Sequence, residues 1–388
     1  MARALYIHWP FCLQKCPYCD FNSHVRDSVD HARWQAALLA DMRAEAEMAG
    51  GERLDSIFFG GGTPSLMPPA LVASLLDEAE RLWGFAQGIE ITLEGNPSSV
   101  EAGNYAALAS VGVNRASLGL QSLHDDTLRF LGRLHDAQEG LNALEVAQKH
   151  FRRVSFDLIY ALPGQTPDQW QADLTRALDL GTGHLSLYQL TIEPGTRFAT
   201  MVRQGDFLPL EDDAAADLFV LTQELTAAAG LPAYEISNHA RLGEESRHNL
   251  GYWRYHDYLG IGPGAHGRRS GPSGEKWATQ RHRKPENWLA AVEARGSGCQ
   301  SEVAIPRPEQ AAEALLMGLR LREGVDLAVI SARTGVAVED LVDWPEVEAL
   351  DKLGLLRTSG HRIAITLQGM PLLDAILPRL VADGLVSA

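Results

Sequence analysis

The sequence predicts an α/β protein: a partial (β/α) barrel of parallel strands, followed by a mostly helical, winged-helix-like C-terminal domain. Short β-branched and apolar runs alternate with longer amphipathic runs from residue 3 to about residue 240. Polar residues that could bind a ligand or take part in a reaction lie where several of the predicted strands end. After residue 285 the pattern becomes mainly helical. Alternation of this kind implies parallel strands joined by right-handed crossovers.

The predicted strands and helices account for most of the first 240 residues. The apolar runs predict strands over residues 4–8, 56–59, 90–93, 115–118, 154–159, 185–190 and 233–236. The apolar residues recur at the spacing of one helix face in segments 29–48, 69–82, 102–109, 137–150, 167–180 and 212–229. Pro69 and Pro167 stand where helix starts favour proline. In such a barrel, polar residues at the C-terminal ends of strands are candidates for one shared site.

Three regions follow from this pattern: a barrel over residues 1–240, a connecting segment over 241–285, and a C-terminal domain over 286–388. Residues 238–285 are rich in Gly, His, Arg and aromatics, with too few periodic apolar positions for a helix, so we expect a long functional loop there. In the C-terminal domain, helices precede a hairpin formed by residues 353–356 and 362–367. We expect this domain to pack on the barrel or dock a partner.

Composition excludes several classes of function. Of 388 residues, 45% are hydrophobic and 22% charged, as in ordinary globular proteins. A net charge of −16 argues against non-specific nucleic-acid binding, although it does not exclude a local basic pocket. The apolar stretches are far shorter than the roughly 20 residues of a membrane span. With no charged-then-apolar leader at the N-terminus, a cytoplasmic location is expected.

Three of the four cysteines crowd into eight residues of a loop after the first predicted strand. Cys12, Cys16 and Cys19 are spaced C-x₃-C-x₂-C, which suits metal ligation better than disulfides. A four-iron cluster normally takes four thiolates. Three would leave one iron open to S-adenosylmethionine (SAM), which can chelate it through its amino and carboxylate groups. The alternative is a zinc site completed by His24 or His8. Cys299 is interpreted as a spare thiol.

Further polar and glycine residues follow the later strands. Gly60-Gly61-Gly62-Thr63-Pro64 lets the backbone approach a ligand closely, although such a run more often forms a tight turn. Glu94 could accept hydrogen bonds from ribose hydroxyls or be a surface acid. Other candidates at or soon after strand ends are Gln121, Arg133 and Asp157. A buried aspartate would need a partner.

The cysteine motif, with an aromatic residue before the last Cys, resembles the radical-SAM superfamily signature. The surrounding sequence is similar to oxygen-independent coproporphyrinogen III oxidases and their haem-chaperone relatives, over nearly the whole chain. This resemblance implies a [4Fe–4S] cluster on the three cysteines. It implies SAM contacts from Tyr6, Gly61, Gly62, Thr63, Glu94, Gln121, Arg133 and Asp157. Some of these positions, with Tyr18 and Gln189, match a second SAM site of the oxidases, and His266 matches a position beside adenine.

The segment His248-Asn-x-x-Tyr252-Trp253 matches a motif of the haem chaperones. A histidine flanked by aromatics can offer iron an axial nitrogen and porphyrin a flat contact, but a lone histidine is more often structural. The oxidases carry a further Cys two positions after the third, where this chain has Phe21. The resemblance therefore implies a haem chaperone that carries a cluster and SAM. The alternative is an oxidase that decarboxylates coproporphyrinogen III.

The partners implied are haem, an unidentified haem-acceptor protein and an unidentified electron donor. No nucleic acid and no transmembrane segment are expected. A protein that delivers haem to respiratory partners could contact a membrane peripherally, but no amphipathic helix requires this.

Overall fold

Parallel strands with alternating inner and outer faces organise the protein, whose computed structural model describes residues 3–49, 53–271 and 275–385. The strands are β1 (Arg3–Trp9), β2 (Phe11–Cys12), β3 (His24–Val25), β4 (Leu54–Gly61), β5 (Phe85–Gly95), β6 (Arg115–Gln121), β7 (Arg153–Tyr160), β8 (His184–Gln189), β9 (Asn238–Ala240), β10 (Asp257–Ile261), β11 (His266–Ser270), β12 (Lys276–Arg281), β13 (Cys299–Ile305), β14 (Val325–Asp326), β15 (Leu356–Ser359) and β16 (Arg362–Ile365).

Helices connect most of the parallel strands and build the C-terminal region. They are α1 (His31–Ala49), α2 (Pro69–Trp83), α3 (Ser99–Ala102), α4 (Tyr105–Ser110), α5 (Asp125–Phe130), α6 (Ala137–His150), α7 (Pro167–Leu178), α8 (Arg197–Gln204), α9 (Asp212–Ala228), α10 (Arg247–Trp253), α11 (Pro285–Arg295), α12 (Arg307–Gly318), α13 (Leu327–Thr334), α14 (Trp344–Lys352) and α15 (Leu373–Leu380). None of them, within the described ranges, is long and apolar enough to cross a membrane.

The main sheet confirms the predicted partial barrel. Its strand order is β13-β12-β11-β10-β1-β4-β5-β6-β7-β8-β9. The pairs from β10 through β1 to β8 are parallel. On β1, Leu5 and Ile7 are buried in the main hydrophobic core, whereas Tyr6 and His8 line a cavity inside the barrel. The strand alternation therefore places polar side chains inside and apolar ones against the helices.

The predicted strand at residues 233–236 is wrong. Ala233 makes only an isolated bridge to His239, and the strand that follows, β9, pairs with β8 in the antiparallel direction. The chain reverses direction between Ala233 and His239. This segment therefore forms a tight turn and not another parallel strand reached by a crossover.

The long loop expected over residues 238–285 is also wrong, because this region contains α10 and strands β9 to β12, and β13 follows in a region expected to be helical. In these strands some inward positions are occupied by charged residues that are buried in ion pairs. The alternation of apolar and polar residues that predicts a strand is therefore missing from the sequence. Arg281 Nη2 lies 2.6 Å from Glu45 Oε2, and Lys276 Nζ lies 3.3 Å from Asp257 Oδ1. A Cβ on Gly260 would lie 2.0 Å from the His266 carbonyl oxygen, so glycine is required where β10 meets β11.

The C-terminal region has its own hydrophobic core. The predicted hairpin forms from β15 and β16, with the first strand three residues later than predicted, and β14 joins β16 as a third strand. Helix α10 contacts β1, β4 and β10 on one side and α12 on the other. It is therefore positioned between the barrel and the C-terminal region.

Candidate functional site

The cysteine loop is fixed at both ends. It leaves β1, and β2 and β3 then pair in parallel around it, with Phe11 opposite His24 and Cys12 opposite Val25. Within the loop the Cys19 N–H donates to the Cys16 carbonyl at 3.1 Å. All three cysteines are partly exposed and free of disulfides. The loop therefore offers three thiols at the C-terminal end of the first strand.

Each of the three thiols has a polar neighbour. Thr63 Oγ1 donates to Cys12 Sγ at 3.4 Å, and Arg133 Nη1 donates to Cys16 Sγ at 3.4 Å. The Ser23 hydroxyl lies 3.8 Å from Cys19 Sγ. Burial raises the pKa of the Cys12 and Cys19 thiols. Donors placed on sulfur stabilise the thiolate form that binds a metal.

The same loop tests the zinc alternative. His8 uses both ring nitrogens: Nδ1 is hydrogen-bonded to Tyr6 Oη and Nε2 to the Asn22 carbonyl, each at 2.9 Å. Over the described ranges, no three His, Cys, Asp or Glu side chains converge as a single metal ion requires. A cubane cluster makes a different demand, because its thiolates bind separate iron atoms. His24 Nε2 lies 3.2 Å from Asn22 Oδ1, so both histidines of the zinc alternative have partners within the chain.

The glycine run packs tightly against the cysteine loop. A Cβ on Gly62 would lie 2.7 Å from the Phe11 carbonyl oxygen, and Gly61 has φ +116°, a conformation that favours glycine. The Thr63 N–H donates to that same Phe11 oxygen at 2.8 Å. Close packing between β4 and the loop thus accounts for these glycines, and it also brings Gly61 to the wall of the barrel cavity.

Two carboxyl groups lie at neighbouring levels inside the barrel. Glu94 Oε2 accepts a hydrogen bond from the Gly61 N–H at 3.3 Å. Burial, and then the nearby Asp157, raise the pKa of Glu94 to about 8. Burial also raises the pKa of Asp157 to about 6, although a hydrogen bond from Ser186 opposes the rise. Such buried carboxyls can hydrogen-bond to ligand hydroxyls or, when ionised, pair with a positively charged ligand.

Arg133 links the cysteine loop to the strand ends. Besides Cys16 it donates from Nη2 to Asn96 Oδ1 at 2.5 Å and to the Gly119 carbonyl at 2.9 Å. Its buried Nε has no hydrogen-bond partner in the structure. Gln121, at the end of β6, has φ +70°, which is strained for a residue with a Cβ. Such strain, typically about 1–3 kcal/mol, concentrates at functional sites.

A cavity of about 460 Å³ collects many of the predicted residues. It is lined by Tyr6, His8, Phe21, Asn22, Phe58, Gly61, Glu94, His248, Tyr252, Tyr258, Gly264 and His266. We call it the barrel cavity. Sequence reasoning missed Asn22 as a wall residue, whose Nδ2 donates to the carbonyls of Pro263 and Arg283, each at 2.9 Å. Its position three residues after Cys19 was the available signal.

Two predicted residues have partners elsewhere. Gln189 Nε2 donates to the Ala215 carbonyl on α9 at 2.7 Å, so its amide contacts the outer helix layer. Tyr18 packs against Phe198 with ring centroids 6.3 Å apart, although its hydroxyl accepts a hydrogen bond from Arg133 at 3.5 Å. Neither lines the barrel cavity.

Helix α10 divides the predicted haem residues between two cavities. His248 and Tyr252, one turn apart, line the barrel cavity, and Trp253 lines a separate one. His248 Nδ1 lies 3.2 Å from Ser56 Oγ, and its ring centroid is 5.0 Å from that of Phe58. Burial lowers the pKa of His248 to about 4, so the imidazole is neutral near pH 7. The structure does not bring the three residues into one site.

Comparison with known proteins adds independent findings. The family described as the radical SAM superfamily matches residues 6–177, and the HemN C-terminal domain matches residues 305–372. The heme chaperone HemW of Escherichia coli (strain K12) is 37% identical over 98% of this chain and 98% of its own length. The radical S-adenosyl methionine domain-containing protein 1, mitochondrial, of Bos taurus is also 37% identical, over 98% of this chain and 87% of its own length.

A solved structure shows the same fold. Coproporphyrinogen III oxidase (HemN) from Escherichia coli aligns with a TM-score of 0.80, covering 97% of this chain and 89% of that chain. The two sequences are 22% identical, so this likeness concerns the fold alone.

Proposed function

This chain belongs to the HemW family within the radical SAM superfamily, and on that premise we propose that it binds haem and passes it to an acceptor protein. The observation that carries the proposal is that the likeness to HemW extends over both the barrel and the C-terminal region. The acceptor is a haem protein that the sequence does not identify.

Membership of the radical SAM family implies a [4Fe–4S] cluster and SAM. Cys12, Cys16 and Cys19 would hold the cluster. When bound, such a cluster would supply an electron for reduction of the SAM sulfonium. The chain's own contribution is electrostatic, because Thr63 and Arg133 donate hydrogen bonds to two of the sulfurs, and hydrogen bonds to cluster sulfurs tune reduction potential.

The barrel cavity is the proposed SAM site. Glu94 would accept hydrogen bonds from ribose hydroxyls, and Tyr6, Gly61 and His266 would complete the walls around the ligand. Thr63 adjoins the cysteine loop, and Gly62 packs against it. Gln121, Arg133 and Asp157 stay predictions as SAM contacts at the strand ends. For Tyr18 and Gln189 to contact a second SAM, they would have to exchange their present partners.

Haem titration tests the proposed function. Adding ferric haem to the cluster-reconstituted protein under anaerobic conditions should give a saturable shift of the Soret band. A change of that band in His248→Ala would place haem at the motif histidine, and an unchanged band would place it elsewhere. His150→Ala, which removes an exposed surface histidine, is the matched control. A wild-type protein that leaves the haem spectrum unchanged would contradict the chaperone proposal.

The oxidase alternative is tested by its product. The position of the oxidases' additional cysteine is held by Phe21, which lines the barrel cavity and is 64% exposed. Anaerobic incubation with coproporphyrinogen III, SAM and a reductant should therefore yield no protoporphyrinogen IX. The Escherichia coli oxidase in parallel verifies the assay, and appreciable product from this chain would favour the oxidase.

A further inference from the structure

A second and larger cavity lies between the barrel and the C-terminal region. It measures about 760 Å³, within the range of roughly 300–1,000 Å³ that small-molecule sites occupy. Helix α10 and the start of β10 form one wall, and helices α12 and α13 form the other. We call it the interdomain cavity. No residue of the proposed cluster or SAM site lines it.

The floor of the interdomain cavity is apolar. Leu321, Val325 and Ile330 line it and are each less than 10% exposed. Trp253 lines it from the opposite side, and its indole Nε1 is buried without a hydrogen-bond partner. A flat aromatic side chain facing aliphatic residues suits a planar apolar ligand.

Basic side chains outnumber acidic ones in the lining of the interdomain cavity, although the chain as a whole carries a net charge of −16. The lining contains five basic and three acidic side chains: Arg3, Arg254, Lys276, Arg333, Arg362, Asp257, Glu323 and Asp326. Each of the three acids is paired with a cation, Glu323 with Arg254 at 2.8 Å, Asp257 with Lys276 at 3.3 Å and Asp326 with Arg362 at 3.9 Å. Arg333 donates to the Arg254 carbonyl at 3.3 Å, and no carboxylate of residues 3–49, 53–271 or 275–385 pairs with it. Arg333 is therefore available to a ligand carboxylate.

His256 supplies the cavity with a neutral imidazole. Burial, and then the charges of Arg333, Arg254 and Lys276, lower the pKa of His256 to about 4. Its Nδ1 is buried and its Nε2 is the accessible ring nitrogen, and neither is hydrogen-bonded to any part of the chain that the structure describes. A neutral imidazole with a free nitrogen is a common metal ligand, and histidine is an established axial ligand of haem iron.

We propose that the interdomain cavity binds haem, with His256 as a ligand of the iron and Arg333 paired with a haem carboxylate. Three observations converge on this chemistry: an apolar floor for the macrocycle, the guanidinium of Arg333 for a carboxylate and an imidazole with an accessible nitrogen for the metal. The inference rests on the proposed function, since it assigns a place to the haem that a chaperone carries.

Variants that fill or strip the cavity test this assignment. Val329→Trp on α13 should fill it and weaken ferric-haem binding at least tenfold, because Val329 lines it and is 45% exposed. Val220→Trp is a matched control, since Val220 has the same exposure on α9 and lines neither cavity. His256→Ala should alter the Soret band, whereas His150→Ala should not. Far-ultraviolet circular dichroism verifies the fold of each variant.

The outcomes separate this inference from the proposed function. If wild type does not bind haem, the proposed function fails. If wild type binds haem while Val329→Trp and His256→Ala match their controls, only the interdomain site is overturned. A spectrum that responds to His248→Ala alone also overturns it. If His256→Ala does not fold, the haem affinities of Val329→Trp and Val220→Trp decide whether haem binds in the interdomain cavity.

Discussion

The two cavities on either side of α10 differ in the charge of the ligand that they suit. The barrel cavity contains the carboxyl of Glu94 among tyrosines and histidines, whereas the interdomain cavity has an apolar floor and the guanidinium of Arg333. SAM carries a sulfonium cation and ribose hydroxyls, and haem carries an apolar ring with two carboxylates. One short helix therefore separates two cavities that carry opposite charged groups, a carboxyl on one side and a guanidinium on the other.

The largest effect expected on the barrel side comes from the cysteine loop. Cys12→Ala, Cys16→Ala and Cys19→Ala should each lose most of the cluster iron and the broad absorbance near about 400 nm, because each removes a ligand. Cys299→Ala, a partly exposed cysteine outside the loop, should keep both. Haem affinity should survive in all four variants. Full iron retention in any loop variant would remove that cysteine from the ligand set.

The next effect should separate the cavities by charge. At pH 9, above the pKa of about 8 at which Glu94 ionises, Glu94→Gln should weaken SAM binding by roughly 10- to 100-fold, because hydrogen bonds to charged groups contribute about 1.5–3 kcal/mol. Haem affinity should not change. Glu145→Gln removes an exposed carboxylate paired with Lys149 and serves as the control. Isothermal titration calorimetry measures SAM binding, and unchanged SAM affinity in Glu94→Gln would place SAM elsewhere.

Glu94 should also make stability depend on pH in protein without SAM. Its pKa is about 8, against an ordinary value of 4.5, so the folded protein keeps a proton that the unfolded chain releases. Unfolding free energy from this group therefore falls as pH rises from 4.5 towards 8. Between pH 6 and pH 8.5 the wild type should lose about 2.5 kcal/mol of unfolding free energy from this group, and Glu94→Gln should lack this loss. Urea titrations at both pH values measure this, and parallel pH dependence would contradict the raised pKa.

The smallest effect concerns the two aromatics of the motif. Trp253→Ala should weaken haem binding about fivefold, because an aromatic contact contributes about 0.5–1.5 kcal/mol beyond buried area. Tyr252→Phe, one residue away on the barrel side of α10, should leave haem affinity unchanged. Fluorescence or absorbance titration compares them. A larger loss in Tyr252→Phe would move haem to the barrel cavity.

Local chemistry made the barrel site predictable from sequence. Cys12, Gly61 and Glu94 each follow or end a strand, and parallel strands bring such ends together. Gln189 was less predictable, because strand alternation decides whether its amide contacts the cavity or α9. Sequence alone does not fix that alternation at a strand end.

The second half of the protein was harder to predict. Arg269 on β11 and Arg281 on β12 are buried against Glu45 of α1. Because these inward positions carry charged residues, the sequence lacks the apolar alternation that predicts a strand. His248 and Trp253 face different cavities because of the rotation of α10 about its axis, and α10 is a short helix whose residues are at most partly buried. His256 lies in no recognisable sequence motif. Its proposed role as an iron ligand depends on cavity residues such as Arg333, which lie more than 50 positions away in the sequence.

Two separate cavities would let this chain hold haem and SAM at the same time. Calorimetry tests this by measuring SAM affinity on the cluster-reconstituted protein, with and without one equivalent of haem. The two SAM dissociation constants should agree within about threefold. Loss of SAM binding on haem loading, restored when haem is removed, would show one shared cavity and overturn the assignment of separate sites.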